Sequence, residues 1–190
     1  GLSRIEAEGW RRVRRDGGTA VDARRYRAWV ETAGIRPLVR GADIDAFSYG
    51  TGSYIIWCHG PDGTPTAAPP RLARYLARHR ERLEGRSGWR PGLPAGVVFR
   101  LAPEGLGHRV AWHDLSDTLR AVALPPCAPF DGAERELVAL NTVYFLPAAD
   151  RREALLLAGL LNSLPARAFT RAIAERAKDA RFRFFAWTLS

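Results

Sequence analysis

The chain is expected to fold as an α+β domain, with a small twisted mixed β-sheet, one packed helix and a C-terminal helical hairpin. Three observations carry that expectation. Short runs rich in β-branched and aromatic residues, punctuated by Pro and Gly, recur between Ile35 and Leu124. One stretch, Pro69 to Glu84, repeats apolar residues at helical spacing. Two more helical patterns, between Asn141 and Ser190, are bracketed by the aromatic runs NTVYFLP and RFRFFAW.

The totals narrow the function classes. The 190 residues suit one domain, or one with a small appendage. With 46% hydrophobic residues and 6 Trp, the chain can bury a sizeable core and does not read as disordered. The longest apolar run, Ala154 to Leu161, is too short to span a bilayer, and no signal-peptide pattern opens the sequence. Cys58 and Cys127 supply neither a zinc site nor a disulfide framework. A reducing, cytoplasmic setting is the expectation, with no membrane partner and no metal.

Charge is the most informative total. Lys+Arg is 29 against 20 acids, and Lys178 is the only lysine. A pI near 10.6 on a folded chain suggests a polyanionic partner, because phosphates neutralised by arginine release counterions. A GC-rich coding bias toward arginine is the competing explanation.

Taken in order, residues 1–34 read as an extension or linker from an upstream domain, with Asp16-Gly17-Gly18 as a turn between two possible strands. The group Arg24, Arg25, Tyr26 and Arg27 reads as a basic arm or as a solvated surface. From Ile35, Pro37 forces extension before it, and Leu38 and Val39 fit a short strand leaving through Gly41. Arg40 and Asp43 are placed to hold that turn by hydrogen bonding. Tyr49 to Ser53 (YGTGS) lacks the Lys-Ser/Thr and the helix of a phosphate loop, and reads as a hairpin turn before the strand YIIWC.

The Pro69 to Glu84 helix buries Leu72, Tyr75, Leu76, His79 and Leu83 on one stripe. Arg71, Arg74, Arg78 and Arg82 share the helical spacing and line the flank of that stripe, as a helix lying along phosphates requires; a solvated face paired with Glu81 and Glu84 is the alternative. Strands follow at Gly96 to Leu101, His108 to Trp112 and Leu119 to Leu124. Ala128 to Glu136 then reads as a polar contact loop. Asn141 to Pro147 alternates as a half-buried strand. Asp150 and Glu153 form a capping box for a helix whose Leu155, Leu156, Leu160 and Leu161 are expected in the core. Ser163 caps a second helix with Phe169 and Ile173 on its apolar side and Arg167, Arg171, Arg176 and Lys178 outside.

Several of these motifs, in this order, resemble one known family. Arg36-Pro-Leu-Val-Arg-Gly-Ala-Asp-Ile44, then Leu83-Glu-Gly-Arg86-Ser-Gly-Trp89, HRVAWHD (His108 to Asp114), NTVYFLP, LLAGLLNSLPARAF and RFRFFAW resemble the C-terminal specificity domain of TaqI-like adenine DNA methyltransferases. The resemblance covers residues 35–190. It implies a non-catalytic domain that reads duplex DNA so that an upstream catalytic domain, holding S-adenosylmethionine, can flip out and methylate an adenine. On that reading Arg71, Arg74, Arg78, Arg82 and Arg86 grip phosphates. Arg40, Trp57, Trp89, Arg90, His108 and Arg109, with the loop Phe130 to Glu134, contact bases or groove.

The sequence offers no chemistry of its own. Neither a Gly-rich cofactor turn nor an Asn/Asp-Pro-Pro-aromatic tetrapeptide is present: Pro69-Pro70 follows alanine, and Pro125-Pro126 follows leucine. No catalytic, cofactor or metal residue is therefore expected. Two other classes stay open: a general nucleic-acid-binding module unrelated to methylation, and a small hydrolase using Cys58 with His59 or His113.

Overall fold

A computed structural model describes residues 2–15, 18–98, 103–177 and 181–185, with side chains from residue 29 onward except at 103 and 104. The chain is mixed α+β and forms two compact units, Gly1–Ile35 with Trp57–Phe99 and Arg36–Ile56 with Arg100–Ser190. The expected boundary near residue 34 therefore does not separate an extension from a single domain. Residues 1–34 belong to a unit completed by a later stretch.

In the first unit, β1 (Leu2–Arg15) and β2 (Gly18–Glu31) pair antiparallel, from Leu2 opposite Glu31 to Arg15 opposite Gly18. The second unit begins with β3 (Ile35–Val39), β4 (Ile44–Asp45), β5 (Ser48–Tyr49) and β6 (Ser53–Ile56). Strand β5 pairs with β4, while β6 joins β3. The YGTGS segment is thus a crossing between two sheets and not the expected hairpin turn. The tight turn is the one between β4 and β5, where Phe47 takes φ 64. That left-handed conformation costs a non-glycine residue roughly 1–2 kcal/mol.

The chain returns to the first unit for α1 (Pro70–Ala77) and α2 (Arg80–Glu84). The single expected helix breaks at Arg78-His79, where Arg78 N–H and His79 N–H donate to Tyr75 O and Leu76 O in the tighter 3₁₀ pattern. The apolar stripe survives the break. Leu72 and Leu76 are buried, and Tyr75, His79 and Leu83 are half-buried.

The core of the second unit is built on β7 (Arg109–His113), followed by β8 (Leu115–Ser116) and β9 (Ala121–Leu124). Next come β10 (Cys127–Phe130), β11 (Ala133–Glu136), β12 (Val138–Ala139) and β13 (Val143–Pro147). The sheet order β13-β7-β9 is antiparallel, placing β7 at the centre. Successive side chains of a strand point to opposite faces, so the middle of a central strand covered on both sides, here Val110-Ala111-Trp112, is apolar. Ala111 meets Val39, Ile44, Val122, Leu124, Leu137 and Val143 in one cluster. Val110 and Trp112 meet Leu119, Ala121, Ala158, Phe182 and Phe184 in the other. Instead of one mixed sheet there are several small ones, and the parallel pairing is β12 with β3.

Ala128 to Glu136 is a regular hairpin, not the polar loop expected from its composition. Asp131 (φ 51) and Gly132 (φ 74) both lie in the left-handed region and form a two-residue connection between β10 and β11. An Asp-Gly pair favours that geometry because its backbone twist matches the twist of the strands.

The last elements are α3 (Arg151–Asn162), α4 (Leu164–Ile173), β14 (Glu175–Arg176) and β15 (Phe182–Arg183). Asp150 caps α3 as expected, with Glu153 N–H donating to Asp150 Oδ1 at 2.8 Å, but the expected capping box is displaced by one residue: Glu153 Oε2 accepts from Ala149 N–H and not from Asp150 N–H. The buried face of α3 differs from the expectation. Ala154 and Ala158 are fully buried, with Leu157 and Leu161 packed beside them, while Leu155, Leu156 and Leu160 are exposed. Small alanines let the helix settle close on β7 and β9. The leucines on the far side have no place in that contact. Residues 178–180 and 186–190, which include Lys178 and Trp187, lie outside the described residues, as does the stretch 99–102 of the strand expected at Gly96 to Leu101.

Candidate nucleic-acid interface

Charge is divided unevenly between the units. The first holds 15 arginines against 8 carboxylates, and the second holds 14 basic residues against 12. Of the formal net charge of +9, +7 therefore belongs to the first unit and +2 to the second.

Helix α1 starts at Pro70, and Pro69 before it has no side chain able to cap. The cap comes from β2 instead. Glu31 Oε1 accepts from Arg71 N–H at 2.8 Å, and Oε2 accepts from Leu72 N–H at 2.9 Å. Two of the helix's unpaired amides are thereby satisfied from forty residues away. Partial desolvation pulls the Glu31 pKa upward, but the amides of Arg71 and Leu72 and the nearby Arg71 charge outweigh it, so the carboxyl sits below its ordinary value. A carboxyl with a lowered folded pKa contributes stability above its unfolded pKa and loses it as pH falls through the folded one. Glu31→Gln is expected to lower the urea midpoint of the first unit at neutral pH and to remove part of its acid limb. Urea titrations at pH 7 and pH 3 check this.

With its N-terminus pinned, α1 presents Arg71 and Arg74 to solvent, and Arg78 follows at its C-terminal cap. Arg82 is exposed on α2, and Arg90 on the loop beyond. Arg74, Arg78, Arg82 and Arg90 make no ion pair among the described residues, whereas Arg80 is engaged with Glu84 at 2.6 Å. The break at Arg78-His79 means the stripe is divided between two helices and does not follow one unbroken helix.

Arg86 has a different job. Its guanidinium donates to Leu83 O, Val97 O and Ala95 O at 2.9, 3.1 and 2.9 Å, folding the loop 87–97 back on the end of α2. Burial lowers its pKa. This clamp leaves Arg86 no free fork for a phosphate. Trp89, half-buried in the same loop, has its indole N–H buried with no hydrogen-bond acceptor among the described residues.

The remaining candidates for base contact divide by exposure. Trp57 is buried, its ring 4.9 Å from that of His59. Arg109 is fully buried and donates to the carbonyls of Gly107, Pro125 and Leu137 at 2.6, 3.3 and 2.7 Å. Neither presents a polar group to a base edge, because each is consumed by packing. Arg40 pairs with Asp43, Nη2 to Oδ1 at 2.8 Å, and holds the turn as expected. His108 is half-buried and Arg90 exposed. In the loop Phe130 to Glu134, Phe130 packs against Tyr54 with ring centres 4.9 Å apart.

The residues considered for hydrolysis are also engaged. His59 Nδ1 meets Gly63 O at 2.9 Å, and Nε2 accepts from Val98 N–H at 2.8 Å, so both ring nitrogens serve the main chain. Cys58 is buried and its thiol is pushed up by desolvation, which opposes thiolate chemistry. His113 lies 3.4 Å from Asp114. No cluster of three metal-ligating side chains occurs among the described residues.

Most of the quoted motifs fall in the second unit, whereas Leu83 to Trp89 belongs to the first. Gly41 N–H donates to Thr142 Oγ1 at 3.1 Å, and a side chain at Gly41 would collide with the His113 ring. Leu140 N–H donates to Val39 O, and Asp114 N–H to Thr142 O. Asn162, from LLNS, brackets the main chain of Ala121: its Oδ1 accepts from Ala121 N–H at 3.0 Å and its Nδ2 donates to Ala121 O at 2.7 Å. Sequence reasoning missed the roles of Glu31 and His59, since nothing in spacing shows which distant loop a polar side chain will tie. In comparisons with protein-family models and with curated proteins, nothing matches this chain.

Proposed function

We propose that this chain is the sequence-specific double-stranded DNA recognition part of an adenine-specific (N6) DNA methyltransferase from a restriction-modification or phage-defence system, and is itself non-catalytic. The observation that carries the reading is the concentration of arginine in one unit, with Arg74, Arg78, Arg82 and Arg90 exposed there and in no ion pair among the described residues. Exposed guanidinium groups at such density favour phosphates, and release of counterions supplies the free energy. The second support is that the motifs around Gly41, Asp114 and Thr142, which resemble those of TaqI-like specificity domains, are hydrogen-bonded to one another in the second unit. S-adenosylmethionine does not fit the residues present, which include no Gly-rich cofactor turn and no Asn-Pro-Pro-aromatic tetrapeptide. The cofactor, and the base chemistry, belong to an upstream catalytic domain of the parent protein. No helix among the described residues is long and apolar enough to cross a membrane, and a cytoplasmic setting suits a DNA-modifying enzyme.

The test is a salt titration of duplex binding with Arg74, Arg78 and Arg82 changed together to Gln. Each lost phosphate contact removes about 0.9 from the slope of log K against log salt, so a drop of roughly 2–3 is expected. An unchanged slope would overturn the placement of the interface. A selection from random duplexes separates specific recognition, with a preference on the order of 10³ or more, from a general nucleic-acid binder that treats all sequences alike.

A further inference from the structure

The β1–β2 hairpin outreaches the helix packed on it. Each strand runs 14 residues, about 45 Å at the rise of an antiparallel strand, and the two form a sheet by themselves. Of the other described helices and strands, only α1 packs on the hairpin to any extent, and Glu31 ties it to the base. Helix α1 is 8 residues long, about 12 Å. A two-stranded hairpin alone is marginally stable in water, so a ribbon of this length gains from a partner.

The register places its charges. Cross-strand partners share a face, and the face alternates along each strand. At the base Val30 is buried and Trp29 exposed, so the face of Trp29 is the open one. Trp29 is paired with Arg4, and the same face continues along β1 as Glu6, Glu8, Trp10, Arg12 and Arg14. Near the base its charges are matched, with Glu6 opposite Arg27 and Glu8 opposite Arg25. Farther out they are not. Trp10 lies opposite Ala23, Arg12 opposite Val21 and Arg14 opposite Thr19, and no carboxylate occupies this part of the face. On the other face Arg11 is opposite Asp22, while Arg15 and Arg24 are opposite glycines. With Asp16 in the connection, the stretch from Gly9 to Arg24 holds five arginines against two carboxylates.

Charge and width select the partner. Arginines without a carboxylate in register favour phosphates. The major groove of B-DNA is roughly 12 Å wide and admits a two-stranded ribbon, whose strands lie roughly 4.8 Å apart. Ala23, Val21 and Thr19 opposite the open-face residues keep this ribbon narrow. A protein strand added at the hairpin edge would use main-chain groups and gain nothing from arginine at alternate positions. The A-form major groove of RNA is too narrow to enter.

Resting on the duplex-DNA proposal, we propose that the far half of the hairpin is a ribbon arm that enters the major groove of B-form DNA, with Arg12 and Arg14 on phosphates.

The test uses the full chain and a 30-base-pair DNA duplex of mixed sequence. Changing Arg12 and Arg14 together to Gln is expected to lower the slope of log K against log salt by about 2, at about 0.9 per phosphate. The same change should restore dimethyl sulfate reactivity at guanine N7, the major-groove atom that the wild type protects. Lysine at both positions should keep the slope, which shows that charge and not folding is lost in the glutamine variant. Arg25→Gln with Arg27→Gln removes equal charge from the matched part of the face and should move the slope by less than about 0.5. Equal falls in the two glutamine pairs would overturn the arm. So would failure of lysine to rescue, protection of adenine N3 in place of guanine N7, or tighter binding to duplex RNA. Duplex binding that the Arg12 and Arg14 changes leave untouched overturns the arm alone, whereas a wild type without affinity for any duplex sinks the recognition reading as well.

Discussion

Arg109→Ala is expected to destabilise the second unit by roughly 3–5 kcal/mol, a loss comparable with the whole stability of many domains. Arg109 opens the central strand β7, and its guanidinium ties together three main-chain carbonyls at Gly107, Pro125 and Leu137. These lie before β7, after β9 and before β12, so one side chain closes three chain reversals at once. Burial pushes its pKa down to about 10, which leaves it charged at neutral pH. No carboxylate bonds it among the described residues; three carbonyls accept its N–H groups, and the nearby Tyr49 side chain offsets part of the burial. Truncation would leave three acceptors without donors and open a cavity beside Leu137. Arg109→Lys is expected to recover less than half of the loss, because a single ammonium cannot fork to carbonyls in different directions. Urea denaturation followed by tryptophan fluorescence measures both. A loss below about 1 kcal/mol for the alanine variant would show that water replaces the guanidinium and that the clamp is not structural.

The second large effect is expected at Trp112. Its side chain is fully buried, and its indole N–H donates to Phe184 O at 2.8 Å. Phe184 N–H in turn donates to Asp114 O, and Phe182 pairs with Ser116 on β8. The ring and its N–H therefore secure the C-terminal segment to the central sheet. Trp112→Ala is expected to cost roughly 3–5 kcal/mol, mostly as a cavity between the sheet and α3. Trp112→Phe retains most of the packing and loses the hydrogen bond, for about 1–2 kcal/mol. Amide exchange separates the two contributions: the Phe variant should lose protection first at Phe184, while β7 and β9 remain protected. Equal loss along all three strands would contradict that order.

Much of the fold was legible in the sequence because local rules and tertiary packing agreed. Asp150 with Glu153 marked a cap, Val143 to Pro147 alternated as a strand should, and the Leu72–Leu76 stripe went to the core. The errors arose where several apolar choices competed. In EALLLAGLLN the leucines draw the eye, yet the sheet is met by Ala154 and Ala158, because close approach favours small side chains over large ones. Asp131-Gly132 carried a plain hairpin signal that was outweighed by the polar residues around it. The candidate interface was half legible. Spacing located Arg71, Arg74 and Arg78, and could not show that Arg86 and Arg109 would be drawn inward by main-chain carbonyls, since those acceptors come from residues up to 28 positions away.

The route of the chain through its two units has a consequence for synthesis. Each unit is assembled from two separated stretches, so the first cannot close until about residue 99 has emerged, and the second waits for the last residues. While α1 is being made, Gly1–Ile35 must remain available to receive it through Glu31, with residues 36–56 already extruded between them. Folding during translation is therefore interleaved instead of modular, and it is dominated by contacts distant in sequence, which slows it. Recombination of a single contiguous block long enough to hold the whole first unit would carry residues 36–56 of the second with it. An exchange of the whole first unit that leaves the second intact needs three crossovers, one on each side of residues 36–56 and one after residue 99.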